Sequence, residues 1–273
     1  MVTPVAKPAI QVQDVTKRFG GRTVLDSICL DVLEGETLVI LGGSGSGKST
    51  LLRLMIGNEC IDGGDILISH AGKTINQMTP FDLDDYRKSV GVLFQSGALF
   101  NSLSVADNVA LPLREHTDLP EDTIDIVVMI KLELVGLREH ADKMPSQLSG
   151  GMKKRAGLAR ALSLEPKILF YDEPSAGLDP VTSAEIDQLI IDLNRKMGVT
   201  SVVVTHEMDS AFRIADRMVL LDRGKFIVSG TPQQMRDNTD PLVRQFVHGL
   251  TEGPLTDRRR SGGYEVELLG DKI

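Results

Sequence analysis

GGSGSGKST, residues 42–50, fits the pattern G-x-x-x-x-G-K-[ST], with Gly42, Gly47, Lys48 and Ser49 in the fixed positions. Such a stretch reads as a loop that grips the phosphates of a nucleotide. A nucleoside triphosphate needs several close hydrogen-bond donors and a positive field around oxygens that carry about three to four negative charges. Gly42, Gly43, Gly45 and Gly47, with Ser44 and Ser46 between them, let the backbone supply those donors through turns that a Cβ would obstruct. Lys48 reaches the β- and γ-phosphate oxygens, and Ser49 offers a hydroxyl to Mg2+. After Thr50, LLRLMIG has the apolar spacing of a helix whose N-terminal dipole faces the phosphates. The preceding ETLVIL is a β-rich apolar run, so strand, glycine loop and helix follow in the order the motif requires. A Gly/Ser linker is the plain alternative, but linkers are not followed by Lys-Ser-Thr and an amphipathic helix.

Working outward, the pattern predicts an α/β chain. AIQVQDVTKRF and TVLDSICLDV alternate as strands around Gly20-Gly21, the mark of an antiparallel hairpin. DILISH and GKTI follow as short strands, then a helix in DLDDYRKS and a strand in VGVLFQ. Between residues 96 and 166 the period changes to that of helices, in VADNVALPLREH, PEDTIDIVVMIKLELVGL and MKKRAGLARALSLE, so a helical subdomain is expected there. Pro112 is expected to kink or split the first of them. KILFYDE, SVVVTH, RMVLLD and KFIVSG then read as strands of a parallel sheet, with a long helix between the first two.

Composition excludes several classes. At 273 residues, 41 % hydrophobic and 25 % charged, the chain can bury a large globular core. A net charge of −8 argues against non-specific nucleic-acid binding, and only residues 153–155 and 258–260 are locally basic. Cys29 and Cys60 form no C-x-x-C and are expected to pack as small hydrophobes, in a reducing compartment. MVTPVAKPAI has no apolar leader core, and the longest near-apolar run, residues 126–130, is far short of a membrane span. A cytoplasmic protein is the expectation.

Two further stretches carry chemistry. KILFYDEP ends an apolar strand in Asp172-Glu173, at the strand edge where open α/β sheets bind ligands. One carboxylate suits Mg2+, which Asp172 would share with Ser49. The other suits a general base, with Glu173 taking a proton from attacking water. QLSGGMKKRAGLARAL places Ser149, Gly150 and Gly151 at a helix start, fit for a second grip on phosphate or for a plain N-cap.

The order GGSGSGKST, Gln95 in VGVLFQ, LSGGM, ILFYDEP, SAGLDP and His206 in VVVTH resembles the nucleotide-binding subunit of ATP-binding cassette transporters, over roughly residues 10–245. The resemblance implies a P-loop NTPase (RecA-like) parallel-sheet core, an N-terminal antiparallel β subdomain and an inserted helical subdomain. It divides the chain into a cassette, residues 1–247, and a tail, residues 248–273. It implies that two copies pair head to tail, each ATP lying between residues 42–50 of one and 148–151 of the other. By position, Phe19 would stack on adenine, Gln95 would contact Mg2+ and sense a membrane partner, His206 would hold the γ-phosphate, and Asp179 would communicate across the dimer. Met152 departs from the usual Gln after LSGG and offers no amide.

LSGGMKKRAGLARAL, with residues 94–117, is most similar to the Mla-type ATPases of MCE-linked phospholipid transport, which maintain outer-membrane lipid asymmetry. The partners this implies are an integral-membrane permease that docks near residues 95–108, a periplasmic MCE-domain protein and a small STAS-domain subunit. The ATPase would sit on the cytoplasmic face of the inner membrane. Another transporter cassette, or a soluble cassette of DNA repair or the ribosome, is the alternative. The latter kinds carry a coiled-coil or zinc insertion, or two cassettes in one chain, features this sequence lacks. The polar tail is expected to be mobile; the alternative puts LVRQFVHGL and the residues after it on the neighbouring subunit or the STAS-domain protein, with Arg258–Arg260 near anionic lipid head groups.

Overall fold

The computed structural model describes residues 7–256. Two sheets organise it. β1 (Pro8–Phe19) and β2 (Arg22–Leu33) form the expected hairpin, and β4 (Gly63–Ile68) and β5 (Lys73–Thr74) complete an antiparallel sheet in the order β2-β1-β4-β5. The second sheet runs β10 (Lys225–Gly230), β9 (Arg217–Asp222), β3 (Thr37–Leu41), β8 (Thr200–Thr205), β7 (Ile168–Asp172), β6 (Val90–Leu93).

From β6 to β9 that sheet is parallel, but β10 runs antiparallel to β9. The expected run of parallel strands is therefore corrected at its last member. Arg223 and Gly224 alone join β9 to β10, both at positive φ (48° and 76°), a two-residue hairpin turn that leaves no length for a crossover.

The central strands are apolar on both faces because both are covered. Val39 and Leu41 of β3 face one core cluster while Leu38 and Ile40 face the other, and all four are fully buried. The first cluster packs under α3 (Val105–His116), α4 (Glu121–Leu134), α5 (Gly150–Ala161), α6 (Pro180–Met197) and α7 (Met208–Ile214). The second packs under α1 (Lys48–Met55), α2 (Pro80–Lys88) and the antiparallel sheet. Each such aliphatic side chain contributes about 1.5–3 kcal/mol by burial. The sheet is thereby a rigid floor, and its β3, β7 and β8 edges carry the loops that matter.

Three sequence expectations change. Pro112 neither splits nor ends α3, which runs on to His116; Val105, Val109, Ala110 and Leu113 are buried along it, and this packing outweighs the lost N–H. Cys29 and Cys60 are exposed rather than packed. On β2, Ile28 and Leu30 point inward, so strand alternation turns Cys29 outward. Finally, α9 (Pro241–His248) follows α8 (Pro232–Arg236) and buries Leu242, Val243 and Val247 in its own chain's core, which removes those residues of LVRQFVHGL from any intersubunit contact. Buried Gln245 then folds the next residues back, accepting from the Leu255 N–H (2.7 Å) and donating to Thr256 Oγ1 (2.6 Å). Arg258–Arg260 lie outside the described residues.

Candidate nucleotide site

The glycine loop leaves β3 at Gly42 and enters α1 at Lys48. Gly42 has no room for a side chain: a Cβ would lie 2.3 Å from the Leu221 carbonyl oxygen. Gly47 stands at φ +109° with a Cβ position 2.7 Å from Leu25 Cδ2, so two independent reasons exclude other residues. Gly43, by contrast, has open space where a Cβ would go. No side chain caps α1 and no acidic residue lies in its first turn, so its leading N–H groups are left for an anion. Gly47→Ala is expected to cost about 1–3 kcal/mol through backbone strain. Melting curves should then drop by roughly 2–4 °C per kcal/mol, and the shift that ATP produces should vanish.

Lys48 is buried and spans the loop, donating to the carbonyls of Gly42 (2.7 Å) and Gly43 (3.1 Å). Its ammonium has a third N–H for a ligand oxygen. Burial lowers its pKa, against the pull of the Glu173 and Asp172 carboxylates. Ser49 Oγ donates to Asp172 Oδ1 at 3.3 Å, joining the loop to the end of β7. Burial raises the Asp172 pKa, opposed by that hydrogen bond. Hydroxyl and carboxylate oxygens side by side are hard donors that suit Mg2+. Among the described residues no group of three or more His, Cys, Asp or Glu side chains could hold a metal by itself.

The next residue turns sharply. Glu173 is a non-glycine at φ +50°, and its carboxylate is held from two sides. Oε2 accepts from Thr205 Oγ1 (3.0 Å) and the His206 N–H (3.4 Å), while Oε1 lies 2.9 Å from His206 Nδ1. Facing a carboxylate, Nδ1 is a protonated ring nitrogen, which leaves Nε2 for a further partner. β7 and β8 bring these groups together by register, since Asp172 pairs with Val204. The helix behind His206 is fixed as well: Ser210 Oγ and Arg213 of α7 both donate to the fully buried Asp187 of α6.

The structure thus unites Lys48, Ser49, Asp172, Glu173 and His206. Sequence reasoning missed Thr205, whose hydroxyl also accepts from the Glu207 N–H (3.1 Å); its signal was a polar residue ending the apolar run of residues 202–204. The other named residues are not hydrogen-bonded to this cluster. Phe19 ends β1, 45 % exposed, with the Lys17 ammonium 4.8 Å from its ring centre. Gln95 is exposed in the loop after β6. Ser149 caps α5, accepting from the Met152 N–H (3.3 Å), and a Cβ at Gly151 would lie 2.4 Å from Thr182 Cγ2. Asp179 caps α6 through the N–H groups of Val181 and Thr182.

What the cluster can do is hold a polyphosphate at a loop and helix start, and present a carboxylate, oriented by His206, to water. Known proteins are similar to this chain. The family model described as "ABC transporter" matches residues 25–176. The intermembrane phospholipid transport system ATP-binding protein MlaF of Escherichia coli K12 is 46 % identical over 260 residues, covering 95 % of this chain and 96 % of that one. The probable ribonucleotide transport ATP-binding protein mkl of Mycobacterium tuberculosis H37Rv is 43 % identical over 247 residues, 90 % of this chain and 68 % of its own. Among solved structures, the dimeric post-hydrolysis state of the ATP-binding cassette MJ0796, bound to ADP and Pi, superposes with a TM-score of 0.74 at 31 % identity, covering 82 % of this chain and 98 % of that one. With a family model that spans more than half of the chain and a relative 46 % identical over nearly its full length, the chain belongs to the ABC transporter family, as one of its ATP-binding and ATP-hydrolysing cassettes.

Proposed function

We propose that this chain is the ATPase subunit of a phospholipid transport complex between inner and outer membranes. Identity to MlaF across nearly the full length of both chains is the observation that supports the cargo. Two copies pair head to tail, with Ser149, Gly150 and Gly151 of one closing on the ATP held by Gly42, Gly43, Ser44, Gly45, Ser46, Gly47, Lys48, Ser49 and Thr50 of the other. That reading accounts for Ser149–Gly151 being separate from the loop within one chain, and the dimeric state of MJ0796 supports it. Phe19 stacks on adenine. Ser49, Asp172 and Gln95 would hold Mg2+, which neutralises phosphate charge when bound. Glu173 accepts the proton of the attacking water, and His206 Nε2 faces the γ-phosphate.

A permease receives the work of this cycle near residues 95–108, where Phe94 and Phe100 are exposed beside α3 and α5 in a groove of about 800 Å3. No helix among the described residues is long and apolar enough to cross a membrane. This chain sits on the cytoplasmic face of the inner membrane, and a periplasmic MCE-domain protein and a small STAS-domain subunit complete the complex. Affinity purification of the chain from its native membranes should recover the permease together with a periplasmic MCE-domain protein. Recovery of a nucleotide-binding periplasmic protein instead would favour the cargo named for mkl, and ribosomal RNA would overturn the transporter reading.

A further inference from the structure

Lys154 lies one turn into α5, and the chemistry above gives it no task. Its side chain is 5 % exposed, yet the ammonium makes no bond within its own helix. It donates instead to the carbonyls of Glu173 (3.0 Å) and Ala176 (2.8 Å), in the loop that joins β7 to α6. A buried ammonium is costly unless hydrogen-bonded, and an apolar side chain of the same length would fill the space without that penalty. The position therefore uses the charge.

The two carbonyls belong to the turn that sets the carboxylate. Glu173 stands at φ +50°, a conformation that costs a non-glycine residue about 1–3 kcal/mol unless its surroundings enforce it. Its N–H donates to Val204 O (2.9 Å), and its carbonyl accepts from both the Ala176 N–H (3.2 Å) and Lys154. The same helix braces the Gln95 loop, for Arg160 donates to the carbonyls of Ala98 (2.8 Å) and Gly97 (3.2 Å). Helix α5 starts with Ser149, Gly150 and Gly151. One rigid element thus carries the signature residues at its tip and holds the base through Lys154.

We propose that Lys154 is a positioning residue that fixes the Glu173 backbone to α5, so that a nucleotide engaging Ser149–Gly151 aligns the base of that same chain. The inference rests on the head-to-tail pairing proposed above. In that pair, the signature residues of one copy touch the ATP held by the other, whereas its Glu173 acts on the ATP in its own loop. Lys154 then links the two composite sites, and base alignment in one depends on occupancy of the other.

Lys154→Met and Lys154→Gln, each made in the native and in the Glu173→Gln background, test this. A base displaced by about 1 Å loses on the order of 10²-fold in rate, so Lys154→Met should lower kcat by about 10- to 100-fold. The KM for ATP should stay within about threefold, since the phosphate grip is untouched. ATP-dependent pairing of the Lys154→Met/Glu173→Gln double variant, followed by light scattering, should match that of Glu173→Gln alone. Lys154→Gln keeps one amide donor for a carbonyl and should recover part of the lost kcat. If Lys154→Met does not fold, Lys154→Gln carries the same comparison. Native kcat in these variants overturns the proposal, and so does a loss of kcat accompanied by an equal loss of ATP-dependent pairing, which would mark Lys154 as merely structural. Failure of Glu173→Gln itself to pair with ATP would overturn the head-to-tail reading, while the kcat comparison still decides the positioning role.

Discussion

Glu173→Gln is expected to lower ATP turnover by about 10²- to 10⁴-fold, the range over which a positioned general base accelerates a reaction, or about 2.7–5.5 kcal/mol of barrier. Shape is conserved in this change. The Gln amide oxygen can still accept from Thr205 Oγ1 and the His206 N–H, the two donors on Glu173 Oε2. The other side differs, because an amide NH2 would face His206 Nδ1 where a carboxylate oxygen now lies at 2.9 Å. Two donors cannot share that contact, so the hydrogen bond that orients the imidazole is lost. The substitution thus removes the base and loosens the His206 ring beside it. Nucleotide binding should survive, since Lys48, Ser49 and the glycine loop are unaltered. ATP should therefore hold two chains together without being consumed. Phosphate release and light scattering measure the two quantities separately. Turnover within a few-fold of the native rate would remove Glu173 as the base, whereas loss of ATP-dependent pairing would overturn the head-to-tail reading.

That coupling between Glu173 and His206 shows where sequence legibility ends. The glycine loop was legible because its pattern combines backbone freedom, a cation and a hydroxyl over nine consecutive residues, all local. The strands of the sheet core were equally plain, being apolar runs buried on both faces. The hydrogen bonds around Glu173 were not, since they depend on β7 lying beside β8 with Asp172 opposite Val204. Residues 153–155 read as one basic patch, yet the fold buries Lys154 and leaves its neighbours half-buried. The exposure of Cys29 was legible, for alternation around Ile28 and Leu30 determines it, but an apolar neighbourhood in sequence was taken for one in space. Pro112 was read correctly as a missing donor, while the packing of α3 that tolerates it is a tertiary matter.

Lys48→Ala is expected to fail one step earlier than Glu173→Gln, in binding rather than turnover. Hydrogen bonds to charged partners are worth about 1.5–3 kcal/mol each, so losing the one this ammonium can give a phosphate weakens ATP by roughly 10- to 100-fold. A second effect adds to it. Lys48 also donates to the carbonyls of Gly42 and Gly43, and the loop loses both of those ties with the ammonium. Thermal shifts separate this variant from the base variant. At an ATP concentration of about 100 times the native Kd, binding stabilises the native fold by about 2.7 kcal/mol, and a 100-fold weaker site gains only about 0.4 kcal/mol. At roughly 2–4 °C per kcal/mol, the native chain should gain about 5–11 °C and the variant about 1–2 °C. Glu173→Gln should shift as far as the native chain or further, because it binds and does not hydrolyse. A full shift in Lys48→Ala would mean that the glycine backbone and the α1 N-terminus hold the phosphates without the cation.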